Sequence, residues 1–179
     1  MTARYLLRHH LRPEFHHMLI SAPLAQAINT QIGNEFAASL QYYTIAAHFH
    51  RTHLRQLAKL FFAQASEERE HADKLLHYVL ETGAELQIPA VRAPVATFPS
   101  AEAAVQAALN WELEVTGQIK GLMDIAAGEG DYLAQGFLQW FVDEQLEEVT
   151  KMQRLLEVIR MAGERNLLSV EAYLVHGGS

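Results

Sequence analysis

LAKLFFAQASEEREHADKLLHY, residues 57–78, is the stretch whose reading decides the fold. Taken in steps of three and four, it places Leu57, Phe61, Gln64, Glu68, His71, Leu75 and Tyr78 on one face of a helix. That face is apolar at both ends and carries a carboxylate and an imidazole in its middle. Three other stretches have the same design. They read Ile28, Ile32, Glu35, Ser39, Tyr42, Ala46, Phe49; then Val105, Ala108, Glu112, Val115, Ile119, Leu122; then Leu138, Phe141, Gln145, Glu148, Met152, Leu155, Ile159. Four amphipathic helices with polar residues at matching depth make an all-α bundle.

Local signals set the boundaries. Ser21 caps the first helix, with Pro23 in its first turn, and the helix runs to about Thr52. The second spans residues 54–82 and stops at Gly83. Residues 84–99 hold Pro89, Pro94 and Pro99, which predicts an extended connector. Ser100 caps a third helix, with Glu102 in its first turn, that ends near Gly128. Asp131 caps a fourth that runs to about Ala162, and Ser169 starts a short fifth segment, residues 170–175. Short turns join the helices of each pair, and the one long connector can cross the bundle, so that helices two and three run parallel.

The polar residues on the seams need compensation. A carboxylate moved into an apolar interior costs several kcal/mol unless it is paired. Glu35, Glu68, Glu112 and Glu148 would converge and repel, and no arginine or lysine stands on the seam positions. Divalent cations would neutralise them, and carboxylates with a single imidazole suit iron or manganese better than soft metals. The intervals support this. Glu68 follows Glu35 by 33 residues and Gln145 follows Glu112 by 33; each second member has a partner three residues on, His71 and Glu148. An (i, i+3) pair lies on one helix face and can clasp one ion, so the two halves imply a pseudo-twofold pair of metal positions. On the fourth helix Glu144 and Glu147 offer a competing register, but only Gln145 and Glu148 align with Leu138, Phe141, Met152 and Leu155. Glu67, Glu144, Glu147 and Glu148 then either hold a further cation or form a solvated acidic patch.

Composition narrows the classes. The 179 residues suffice for one domain with a substantial core. The absence of cysteine excludes disulfides, zinc-thiolate sites, iron–sulfur clusters and cysteine nucleophiles. A formal net charge of −7 disfavours nucleic-acid and anionic-membrane binding and suits cations. No apolar run is long enough for a membrane span, and a cytoplasmic protein is expected. Residues 1–20 read as a flexible extension ahead of a domain at 21–179. Arg4, Arg8, Arg12, His9, His10, His16 and His17 stand there against the single acid Glu14, without the apolar core of a secretory signal, and Met18 offers an alternative start.

The strings NEFAASLQYY (34–43), EEREH (67–71), WELE (111–114) and FLQWFVDEQLEE (137–148) resemble the bacterial non-haem ferritins. The resemblance covers roughly residues 21–175. It implies a ferritin-like four-helix bundle with one long crossover between helices two and three and a short C-terminal fifth helix. It implies one iron held by Glu35, Glu68 and His71, and a second held by Glu68 and Glu112, with Gln145 as a weak or indirect ligand. Glu68 would bridge, and Glu67, Glu144, Glu147 and Glu148 fall where such ferritins bind a third iron. Tyr42 matches the tyrosine beside their site, where it can donate an electron or simply pack; Trp140 reads as core. The implied activity is that of a ferroxidase in which two Fe(II) ions each give one electron to O2 or peroxide. The implied assembly is a homo-oligomeric, 24-subunit cage that stores ferric mineral, with the fifth helix lining a channel. Bacterioferritins carry a haem-binding methionine after the bridging glutamate, where this chain has Arg69, so no haem is expected. They and the rubrerythrins have a second E-x-x-H where this chain has Gln145 and Glu148, which points to iron that passes through. The alternatives are a non-storage di-iron oxidase or peroxidase of the rubrerythrin type and a DNA-protecting mini-ferritin. The latter places its irons between subunits, whereas this ligand set closes within one chain.

Overall fold

Three of the helix starts marked by a polar side chain are capped by it in the computed structural model, which describes residues 18–177. Ser21 accepts from the Leu24 amide, Ser100 from Ala103 and Asp131 from Ala134. The helices that follow are α1 (Ala22–Arg51), α2 (Arg55–Glu81), α3 (Ala101–Gly128) and α4 (Tyr132–Ala162). At 30 residues α1 is about 45 Å long. Gly83 ends α2 with φ of 73°, a conformation that any side chain would strain.

The core divides into two apolar clusters at opposite ends of the bundle. One joins the end of α1, the start of α2, the start of α3 and the end of α4, through Phe49, Phe61, Val105 and Ile159. The other joins the start of α1, the end of α2, the end of α3 and the start of α4, through Ile28, Leu75, Ile119 and Leu138. The starts of α2 and α3 therefore lie together, and these two helices run parallel, as the long connector implies. Between the clusters lies a buried polar layer.

The connector, residues 84–99, runs from one cluster to the other: Ala84 and Leu86 pack at its beginning and Phe98 at its end. Two amide side chains of α1 hold it. Asn29 donates to the Glu85 carbonyl at 2.8 Å and accepts from the Gln87 amide at 3.0 Å. Gln41 donates to the Val95 carbonyl at 3.3 Å and accepts from the Val95 amide at 2.8 Å. Each acts as a short piece of strand for a segment with no ladder partner. Gly33 permits the close approach between them, since a Cβ there would meet the Pro89 ring at 2.5 Å. Arg92 lies over the Trp111 ring at 4.0 Å and pairs with Glu114, tying the connector to α3 as well.

The fifth helix, α5 (Leu167–Val175), follows a 3-10 turn at Glu164–Asn166. It begins two residues before Ser169, because the Ser169 hydroxyl donates back to the Asn166 carbonyl and does not cap. Its Glu171 carboxylate accepts from the amides of Gln56 and Leu57 at 2.7 and 2.9 Å. That supplies the cap that Leu54, at the head of α2, lacks. Glu171→Ala is expected to lower stability by about 1–2 kcal/mol and to speed amide exchange in α5 before the rest of the bundle loosens. Unchanged exchange in α5 would contradict this docking role.

The arginine and histidine positions of residues 1–17 lie outside the described residues. Of the remainder of the expected extension, Ile20 is buried in the second cluster and the Leu19 amide bonds the Thr82 carbonyl at 2.9 Å. Packing therefore begins ahead of Ser21. Among the described residues no helix is long and apolar enough to cross a membrane.

Candidate metal centre

The seam periodicity delivers its polar residues to one layer. Glu35, Glu68, His71, Glu112, Gln145 and Glu148 are all buried. Glu35 from α1 joins Glu68 and His71 from α2, with one ligand-type atom of each within 4.8 Å of the others. His71 Nδ1 lies 3.1 Å from Glu68 Oε2. Gln31, one turn before Glu35, donates to its Oε1 at 2.9 Å.

Glu112 enters from α3, and its Oε1 accepts the hydroxyl proton of the fully buried Tyr42. Its second oxygen and that of Glu35 are buried with no hydrogen-bond partner. Two buried carboxylate oxygens without a protein partner in one layer mark a place where a cation would be held. Gln145 is buried beside them, its amide 3.0 Å from the Thr116 hydroxyl, which also lies 2.7 Å from the Glu112 carbonyl. A neutral amide is a weaker donor to a hard cation than the acids around it.

The electrostatics agree with the geometry. Burial, and then the neighbouring Glu68 charge, push the Glu35 carboxyl up to about 8. Glu112 is raised well above the usual range by burial and by Glu68. Burial works against a charge on His71, but the hydrogen bond and charge of Glu68 outweigh it, and the imidazolium is favoured up to about 9. Tyr42 is raised by burial and by Glu112, so it stays a neutral donor. Without a cation the layer holds protons. A divalent ion among Glu35, Glu68 and His71 would displace them.

Four further residues about the site were not singled out by the sequence for the roles they have. Gln64 is a hub, donating to Glu68 Oε1 at 3.2 Å and to Glu148 Oε2 at 2.6 Å. Lys151 reaches Glu148 at 2.9 Å and Glu67 at 3.2 Å from beside the seam, so the layer is not without a basic neighbour. Gln31 and Thr116 orient Glu35 and Gln145. An (i, i−4) glutamine and an (i, i+3) lysine were the available signals, yet both are common on solvent-facing helices.

The acidic annex is only partly gathered. Glu67 and Glu148 share Lys151. Glu144 is half-buried in a groove that Glu67 also lines, with His71, Lys74 and Trp140, and Glu147 is exposed. Trp140 is not core. It is 38% exposed, its ring centre lies 5.4 Å from that of His71 with the planes at 76°, and Lys74 lies 3.7 Å from its ring centre. A tryptophan between the imidazole and solvent shields the ligand-type ring that it contacts.

Residues 25–162 match the family model for the Ferritin-like domain. Ferritin BfrB of Mycolicibacterium smegmatis is 43% identical over 147 residues, 82% of this chain and 81% of that protein. A bacterial non-heme ferritin of Staphylococcus aureus is 33% identical over 146 residues, 82% of this chain and 88% of that protein. The open pore ferritin of the hyperthermophilic archaeon Archaeoglobus fulgidus superimposes with a TM-score of 0.84 at 32% identity. That superposition covers 88% of this chain and 97% of the archaeal one.

Proposed function

The chain belongs to the ferritin-like family, and from that membership and the buried ligand set we propose that it is an iron-storage ferroxidase. It takes Fe(II) as substrate, oxidises it with dioxygen or peroxide at a paired site within one chain, and deposits the ferric product in a closed cage of its own copies. The observation that carries the reading is the Glu35, Glu68 and His71 cluster beside Glu112, with the two orphaned carboxylate oxygens facing no protein partner.

In this reading Glu35 and His71 hold one Fe(II), Glu112 holds the other, and Glu68 lies between them. Two Fe(II) ions supply two electrons to one O2, and two protons complete hydrogen peroxide. The chain supplies position and charge while the metals carry the redox change. Tyr42 keeps Glu112 oriented through its hydroxyl, and when only one iron is present it supplies the second electron to O2 while its phenol proton passes to Glu112. Gln145, a neutral amide, binds more loosely than a carboxylate, so ferric product leaves the second position for storage.

Stopped-flow oxidation of Fe(II) in air tests this, with protein-free Fe(II) as the reference. The wild type is expected to oxidise the first additions much faster than the reference, and equal rates would contradict the proposal. Gln145→Glu adds a charge at the second position and is expected to slow repeated turnover by about tenfold while the first turnover stays fast. Undiminished repeated turnover would remove the release role of Gln145.

A further inference from the structure

Lys151 stands one turn beyond Glu148 on α4. Its Nζ lies 2.9 Å from Glu148 Oε1, 3.2 Å from Glu67 Oε2 and 2.9 Å from Gln64 Oε1. An ammonium has three protons, and these three acceptors from two helices take all of them. Glu67 and Glu148 are two of the four acids that the sequence offers for an additional cation. The other two border Glu67 without reaching the ammonium in a hydrogen bond: Glu147 is exposed in the same groove as Lys151, and Glu144 shares a second groove with Glu67 and Trp140. A cation drawn to Glu67 and Glu148 would come to rest where this ammonium already lies.

We infer that Lys151 is a tethered cation filling the additional position beside the paired site, so that this chain does not hold iron there while the ammonium is in place. The inference rests on the ferroxidase reading of the inner site. Lys151 also sets the amide of Gln64. With Gln64 Oε1 taken by the ammonium, its Nε2 is left to donate to Glu148 and Glu68. One lysine thus neutralises the outer carboxylates and keeps a donor aimed at the inner one.

Its setting makes the charge a gate. Lys151, Gln64, Glu67 and Glu147 line a groove of roughly 510 Å³ that opens to solvent between α2, α4 and α5. The lysine side chain is 37% exposed, whereas that of Glu148 is 3% exposed. The ammonium therefore lies between the inner carboxylates and the groove. Ferric ion leaving the inner pair on this side meets a positive charge, not a waiting ligand set, and retention beside the site is disfavoured.

Calorimetric titration of the metal-free protein with Zn(II), which is redox-inert, tests the inference. Lys151→Met removes the charge at similar length. It is expected to bind one more Zn(II) per chain than the wild type, or to bind at the annex at least about tenfold more tightly. Lys151→Arg keeps the charge and is expected to titrate as the wild type does. Lys151→Gln, a second neutral variant, is titrated in parallel so that the result does not hang on one replacement folding. An unchanged count and affinity, or weaker binding, in the neutral variants overturns the inference. Glu68→Ala reports on the underlying reading separately. If it binds Zn(II) as the wild type does, the paired site is misassigned whatever the lysine variants do.

Discussion

Glu68→Ala is expected to abolish rapid Fe(II) oxidation while the bundle stays folded. Glu68 is the carboxylate common to both halves of the layer. Its Oε2 lies 3.1 Å from His71, and its charge raises both Glu35 and Glu112. Removing it takes away the one oxygen pair that two ions could share. Outer-sphere partners of a metal are worth about 10–100-fold, so loss of a shared ligand is expected to cost at least about a hundredfold in rate. Stability should respond differently. The substitution leaves a small cavity, which destabilises. It also removes one of several converging buried acids, which in metal-free protein stabilises. The melting temperature of the metal-free variant is therefore expected to equal or exceed that of the wild type. Fast oxidation in a folded Glu68→Ala variant would refute the paired site.

The metal-free protein is also expected to lose stability as pH rises through neutrality. Glu35 titrates at about 8 in the folded chain, against 4.5 for an exposed carboxyl. Because its folded value is raised, the favourable protonated state is complete below about 4.5 and is lost as pH climbs to about 8. His71 is raised from 6.5 to about 9, so its contribution is full below 6.5 and disappears through about 9. Both groups slope the same way, and thermal unfolding of the metal-free chain should move to lower temperature between pH 5 and 9. A divalent cation reverses the trend by taking the place of the protons. At a hundredfold excess over its dissociation constant it stabilises by about 2.7 kcal/mol. Its binding at pH 7 should release protons, countable by titrating in buffers of different ionisation enthalpy. Glu35→Gln is expected to flatten the pH profile. A metal-free profile that rises from pH 5 to 9, or cation binding without proton release, would contradict the account.

Why the layer could be read from sequence is a matter of period. Glu35, Glu68, Glu112 and Gln145 each stand three or four residues from apolar neighbours on both sides, and Glu148 stands between Gln145 and Met152, so a helix that buries those neighbours buries them too. The same logic chose Gln145 and Glu148 over Glu144 and Glu147, and the structure buries the first pair and exposes Glu147. Caps and breakers were equally local, which is why Ser21, Gly83, Ser100 and Asp131 marked the ends of the helices.

Contacts made across helices were not legible. Lys151 lies off its seam, and its meeting with Gln64 and Glu67 depends on the distance between α2 and α4. Asn29 and Gln41 read as ordinary polar residues of α1 until the connector is laid over them. Trp140 read as core because it adjoins Phe141, yet adjacent residues on a helix point about 100° apart, and only Phe141 faces inward. The start of α5 was misjudged by three residues because a serine hydroxyl bonds backward within a helix as readily as it caps one.

The most direct test of the central claim is sedimentation of the purified protein after aerobic loading with Fe(II), with iron counted per chain across the boundary. The account predicts a large shell carrying many irons for every chain. A small oligomer with roughly two irons per chain, a filled pair and nothing more, would contradict storage and leave a di-iron redox enzyme in its place.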